Sequence, residues 1–210
     1  MMTFSRMVDF RLVLLFLHSC MFVLQSNGAT SCGKLECPEY KVVHNDSNGF
    51  EIRSYKKAFW IPSPKITSYT YEYAAQKGFT IAYSYFLGNN SQGTKLSMTT
   101  PVLVDIQNYH YYTVHLYIPG KYQHNPPSSH SSEMRPATLP PRRFAVVRRF
   151  NGEMNNPAIA TQLEALKNSL AGTPYQYVAA AATDRFTVAV YYSPLDEPEK
   201  PVNEIMLWFG

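Results

Sequence analysis

The segment Lys95-Leu96-Ser97-Met98-Thr99-Thr100-Pro101-Val102 constrains this chain more than any other stretch, because of what flanks it. Upstream, Tyr71, Ala75, Phe79, Ala82 and Phe86 recur at helical spacing, and Tyr83 widens the stripe. Thr70 stands at the N-cap position of that helix, Gly88 ends it, and Asn89-Asn90-Ser91-Gln92-Gly93 turns the chain. Downstream, Val102-Leu103-Val104-Asp105-Ile106 is an apolar strand. An amphipathic helix that returns through a glycine turn into an apolar strand specifies a globular α+β domain.

The remaining periodicities agree. Residues 39–44 and 50–55 alternate apolar and polar around the turn Asn45-Asp46-Ser47-Asn48-Gly49, which predicts a hairpin with Phe50, Ile52 and Ser54 on one face. Residues 58–61 start a further strand, and Pro62 and Pro64 place it at an edge or bulge because proline donates nothing to a ladder. In residues 111–118, Tyr112, Val114, Leu116 and Ile118 share one face, with Tyr111, Thr113, His115 and Tyr117 on the other. Residues 119–141 form a long connection rich in Pro, Ser and His, of the kind that is usually mobile or functional. Residues 142–152 are a strand. Residues 157–170 are a second helix with Ile159, Leu163, Leu166 and Leu170 on one face, stopped by Gly172 and Pro174. Residues 175–182 and 185–192 read as a hairpin, and residues 203–209 as a closing strand. The order is strands, helix, strands, repeated once.

With 210 residues, 45% of them hydrophobic and 16% charged, the chain supports one sizeable core and is not disordered. A net charge of +4 is mild. Arg142, Arg143, Arg148 and Arg149 cluster on one strand, but alternation splits them between faces, so a solvated strand edge is the reading and nucleic-acid binding is not.

Residues 1–29 have the order of a secretory leader: Arg6 and Arg11, the apolar run 12–24, then Ser26-Asn27-Gly28-Ala29 with cleavage after Gly28 or Ala29. The alternative is an uncleaved signal anchor. Residues 30–38 form an extended arm holding Cys32 and Cys37, which in an oxidising compartment pair as a disulfide; a zinc half-site lacks a second pair to complete it. Asn45-Asp46-Ser47 and Asn89-Asn90-Ser91 are glycosylation sequons at turns, with Asn45 and Asn89 as acceptors. These features place the chain in the secretory pathway, outside the cell or in an endomembrane lumen, with no stable membrane insertion after cleavage.

Taken with its context, the 95–102 segment closely resembles the signature of the SOUL haem-binding family, where Lys-Ile-x-Met-Thr-x-Pro-Val follows the first helix. The resemblance runs over residues 40–209 and is strongest at 50–55, 95–102, Phe150-Asn151-Gly152 and Asn203-Glu204. A proline pair, Pro126-Pro127, also matches the family's loop. The resemblance implies a pseudo-twofold, twisted, β-barrel-like antiparallel sheet with two packed α-helices over residues 39–210. It further implies non-enzymatic binding of haem or another tetrapyrrole in an apolar groove, as a carrier, scavenger or buffer. On this chain the groove falls at Gln76, Phe79, Tyr83 and Ser84, facing Tyr192, Pro194 and Leu195.

Phe79 and Tyr83, four residues apart, offer a stacking surface for a flat macrocycle or serve as core aromatics; the Tyr83 hydroxyl favours an exposed edge. Ser54 stands where some animal members carry a candidate axial His, and Gln76, Ser84 and Glu197 stand where members can be basic. The implied tetrapyrrole is therefore held reversibly and without His ligation, and no metal site is expected. There is no Cys-x-x-Cys-His for covalent attachment. His115 reads as a half-exposed structural residue, His44, His124 and His130 as solvated, and Met98 as buried packing. No nucleophile elbow, phosphate loop, dinucleotide fingerprint or zinc-hydrolase motif is present, so the chain does not read as an enzyme. The alternative function is a binding module for another amphipathic small molecule or a protein partner. The abundance of tyrosine also leaves open a buried Glu in an aromatic cage, as the related multidrug-effector-binding fold uses for cations.

Overall fold

A computed structural model describes residues 32, 35–182, 184–191 and 202–210. The leader at residues 1–29 and the site positions Tyr192, Pro194, Leu195 and Glu197 lie outside the described residues.

The elements in chain order are β1 (Tyr40–Asp46), β2 (Phe50–Tyr55), β3 (Ala58–Pro62), β4 (Ile66–Thr67), α1 (Tyr71–Phe86), β5 (Val102–Gln107), β6 (Tyr111–Tyr117), β7 (Ala137–Leu139), β8 (Phe144–Asn151), α2 (Asn156–Ser169), α3 (Gln176–Ala181), β9 (Arg185–Tyr191) and β10 (Val202–Phe209). The strands form one sheet in the order β1-β2-β8-β10-β9-β5-β6-β3-β7, with β4 paired to β6, and every pair is antiparallel. The order is symmetric about the β9–β5 contact: β8-β10-β9 on one side mirrors β3-β6-β5 on the other, each half with a long helix after its first strand. The pseudo-twofold α+β fold is therefore present. The sheet is a curled half-barrel, with β1 and β7 at its edges.

Alternation sorts the side chains onto two faces. Ile52, Val104, Val114, Val146, Val188, Ile205 and Leu207 form the main core with Ile159, Leu163 and Leu166 of α2 and with Tyr71 and Ala74 of α1. The opposite, concave face carries Trp60, Leu103, Tyr117, Ala145, Val147, Ala189 and Met206. The helix α1 buries Tyr71, Ala74, Gly78, Ala82, Tyr85 and Phe86, so its contact line runs through Ala74 and Gly78 while Ala75 and Phe79 are half-buried beside it. A Cβ at Gly78 would overlap the Val114 side chain, so a glycine there lets α1 sit directly on β6. Gly88 follows the helix at φ +105°, as its C-terminal position requires.

Several expectations are corrected. Residues 175–182 do not form a strand: Gln176–Ala181 is the helix α3, and its alanines favour helix once Tyr175 is anchored in the core. Residues 119–141 are not structureless. A 3₁₀ turn at Gly120–Tyr122, the buried Met134 and the strand β7 organise them, and the Tyr85 hydroxyl donates to the Pro127 carbonyl at 2.6 Å. Thr70 makes no side-chain cap; the Asn156 Oδ1 accepts from the Tyr71 N–H at 2.8 Å and caps α1 from the other helix. Of the arginine cluster, Arg148 and Arg149 lie in β8 past the residues that pair with β2 and face β10 alone, while Arg142 and Arg143 precede the strand and are exposed. Pro62 does meet the edge expectation, since it stands beyond the three residues of β3 that pair with β7. Asn45 is the penultimate residue of β1 instead of lying in the turn; both Asn45 and Asn89 are exposed.

Cys32 and Cys37 are bridged, with 6.2 Å between their Cα atoms. The arm reaches further into the domain than its small loop suggests. The Glu36 carbonyl accepts from Thr100 N–H at 2.9 Å, and its carboxylate accepts from Gly120 N–H.

Candidate functional site

The residues expected to form the groove begin on the exposed flank of α1. Phe79 and Tyr83 are both half-buried, their rings 5.3 Å apart and within 13° of parallel; Phe86 continues the stack at 6.3 Å from Tyr83. Helical spacing of four residues brings the two rings together, and the small residues on the contact line keep the helix low on the sheet. The result is an offset aromatic stack forming a ledge along the helix, backed by the cluster of Ile61, Ala82, Leu116 and Ile118. Ser84 beside it is half-buried, and its hydroxyl donates to the Ile81 carbonyl at 2.7 Å; Gln76 is exposed. The structure thus gathers four of the seven expected residues on one helix flank, and the other three lie outside the described residues.

The signature segment is structural. Leu96 is buried and its N–H donates to the Phe86 carbonyl at 2.9 Å; the buried Thr99 hydroxyl donates to the Tyr117 carbonyl at 2.6 Å. Met98 is half-buried, not fully packed. The segment therefore locks the end of α1 to the entry of β5 and so positions the ledge. Ser54 is half-buried, and the Arg143 Nε donates to its hydroxyl at 3.5 Å.

The concave face holds a second constellation that sequence reasoning missed. Arg53 and Glu204, 151 residues apart, are both 0% exposed. Arg53 Nη1 donates to Glu204 Oε2 at 2.9 Å and Nη2 to Oε1 at 2.8 Å, a bidentate pair. Arg149 Nη2 and the Tyr191 hydroxyl add bonds to the same carboxylate at 3.0 Å each. Arg53 Nε donates to Glu51 Oε2 at 2.7 Å, and the guanidinium lies 4.3 Å from the Tyr40 ring centroid. Burial opposes the charge on Arg53, but Glu204 outweighs it and holds the pKa above the ordinary arginine value. Burial, then Glu204, raises Tyr191 well above the usual phenol range. Glu204 sits among aromatic rings, yet Arg53 occupies the position a cationic ligand would take, so this cage is filled by the protein's own cation. The signal in the sequence was a lone acid inside a largely apolar strand and an arginine on the hairpin face opposite Phe50 and Ile52.

Next to this cluster, Asp105 accepts from Thr187 Oγ1 at 2.6 Å and from Arg185 Nη2 at 3.2 Å. Burial pushes its pKa up, but His115, Thr187 and Arg185 together bring it below the usual carboxylate value. His115 is buried, contrary to the half-exposed reading, because β6 is covered by β5 and β3; its Nε2 stands 3.6 Å from Asp105 Oδ2, beyond hydrogen-bond distance. A cleft on this face is lined by Tyr40, Tyr55, Trp60, Tyr191, Met206 and Trp208, with Cys37 and Pro38 of the arm at its side. Its free interior is about 20 Å³, room for about one water. Among the described residues no group of three or more His, Cys, Asp or Glu converges as a metal site.

A family model described as SOUL heme-binding protein matches residues 35–208. Heme-binding protein 2 of Homo sapiens is 31% identical over 109 residues, 48% of this chain and 53% of its own length. Heme-binding protein 2 of Mus musculus is 30% identical over the same length and shares. The chain spans about half the length of these curated relatives. A crystal structure of a hydrolase from Listeria innocua aligns over 78% of this chain and 93% of its own with a TM-score of 0.43 and 11% identity, a likeness that carries no argument.

Proposed function

Because this chain belongs to the SOUL heme-binding protein family, we propose that it binds haem or another tetrapyrrole non-covalently and reversibly, and catalyses no reaction. The observation that carries the proposal is the Phe79–Tyr83 ledge, an offset stack of near-parallel, half-buried rings that a flat macrocycle can extend. Gln76 and Ser84 flank it with hydrogen-bonding groups. Ser54 offers iron no nitrogen, so binding rests on apolar contact and stacking instead of axial ligation. The protein on this reading is a carrier, scavenger or buffer.

The reading includes a secretory route. The leader at residues 1–29 is removed, and Asn45 and Asn89, both exposed, carry glycans. The bridged Cys32–Cys37 pair supports an oxidising compartment. Intact-mass measurement of the secreted chain tests cleavage, since retention of Met1 would remove it.

Titrating the protein with haemin tests the binding itself. A saturable Soret shift at micromolar protein is expected, and Phe79→Ala and Tyr83→Ala each weaken it roughly two- to tenfold, the range of one aromatic stacking contact. An absent shift, or one indifferent to both substitutions, would remove the proposal.

A further inference from the structure

The end of β10 opens into a cavity of about 620 Å³, a size typical of small-molecule sites. Its walls include Tyr177 from α3, Phe186 from β9, and Trp208 and Phe209 from β10. Arg142 and Arg185 line it, and among the described residues no acidic side chain does. It shares no residue with the α1 ledge.

The construction of this cavity follows from the elements around it. Val178 buries into the main core and anchors α3, which leaves Tyr177 on the open side, 55% exposed. Its ring meets Phe209 edge-on, 6.2 Å between centroids at 84°. Trp208 forms the partition between this cavity and the concave-face cleft, since it lines both. The partition is pinned: Trp208 Nε1 donates to Thr187 Oγ1 at 2.9 Å, and that hydroxyl donates to Asp105. Asp105 lines the cleft, and its carboxylate reaches Arg185, which lines this cavity. It accepts from Arg185 Nη2 at 3.2 Å, while Arg142 Nη1 donates to the Gly210 carbonyl oxygen at 3.2 Å. These bonds orient two guanidinium groups, each of which has further N–H donors in its planar fork.

We propose that this cavity binds a planar aromatic carboxylate of two or three fused rings. The rings lie against Tyr177 and Phe209, and the carboxylate accepts from Arg142 and Arg185. Aromatic walls supply the apolar burial, and two guanidinium groups at the mouth favour an anion over a cation of the same shape. Of the acids beside Arg185, Asp105 is engaged as described and Asp184 precedes it in the chain.

The test is calorimetric titration of the intact chain with 2-naphthoate, and with 2-naphthylmethanol and 2-naphthylmethylammonium as neutral and cationic probes of similar shape. Saturable binding is expected for naphthoate, weaker binding for the alcohol and the weakest for the ammonium. Arg142→Gln weakens naphthoate about tenfold and leaves the alcohol unchanged, as loss of one charge-assisted contact predicts. Tyr177→Ala weakens all three probes. Phe79→Ala leaves all three unchanged while weakening haemin, so failure here and failure of the tetrapyrrole reading are distinguishable. Arg142 is exposed, and far-UV circular dichroism with the unfolding midpoint verifies that its variant folds. Arg185→Lys, which retains charge opposite Asp105, weakens naphthoate less than Arg185→Gln. Equal affinity for the three probes, no saturable heat with naphthoate to millimolar concentration, or indifference to Arg142→Gln would overturn the proposal.

Discussion

Replacing Glu204 with Leu removes the carboxylate that pairs with the buried Arg53. The substitution removes both carboxylate oxygens facing Arg53, at 2.8 and 2.9 Å, and leaves a fully buried guanidinium with Glu51 as its remaining carboxylate. Two charge-assisted hydrogen bonds at about 1.5–3 kcal/mol each, lost from a site closed to water, give a destabilisation of about 3–5 kcal/mol. For a domain of this size that is roughly 6–20 °C in Tm. Arg53→Met alone leaves Glu204 with Arg149 and Tyr191, and is expected to destabilise by a similar amount. The double substitution Arg53→Met with Glu204→Leu removes both charges and leaves apolar volume, so it should be more stable than the sum of the singles by about 2 kcal/mol or more. Urea unfolding of all four proteins, with midpoints and m-values compared, measures this coupling. Single substitutions below about 1 kcal/mol, or effects additive within about 0.5 kcal/mol, would refute the claim that this pair is desolvated and mutually dependent.

Further expectations follow from the same geometry. Gly78→Ala drives a methyl group into Val114 and should destabilise by about 1–3 kcal/mol, more than the helix-propensity gain of alanine returns; an unchanged urea midpoint would contradict the close approach of α1 to β6. Asp105 has a folded pKa below its ordinary value of 3.8, so its stabilising contribution is full above that value and is lost as pH falls through the lower folded pKa. Asp105→Asn should therefore reduce stability at pH 7 and flatten the stability profile on the acid side of pH 4, and a variant with the parent's acid limb would count against it. Burial pushes the Tyr85 phenol up to about 12, so the contribution it makes below pH 10 is lost as pH rises from 10 through 12. Tyr85→Phe should unfold less steeply over that interval and should lose about 1 kcal/mol at neutral pH with the bond to the Pro127 carbonyl.

The α1 helix, the closing strand and the signature segment were legible because their signals are local: an apolar stripe, a glycine stop, an unbroken apolar run. The ledge was legible for the same reason, since Phe79 and Tyr83 lie one turn apart. Residues 175–182 were misread because a short apolar run satisfies both periods, and only the packing of Val178 and Tyr175 against the core decides between them. His115 was placed on the correct face, but its burial depended on which strands flank β6. The cap of α1 by Asn156, 85 residues away, left no local trace at all.

The sequence by itself determined most element types, the two-part order of strands and helices and the family resemblance, because periodicity and chain punctuation act over a few residues. Tertiary structure alone decided that Arg53 meets Glu204 inside the curled sheet, and that Arg142 and Arg185 share a cavity with Tyr177. Those meetings depend on which strands become neighbours, and strand order is set by burying the whole sheet's apolar face at once, which no single window of sequence encodes.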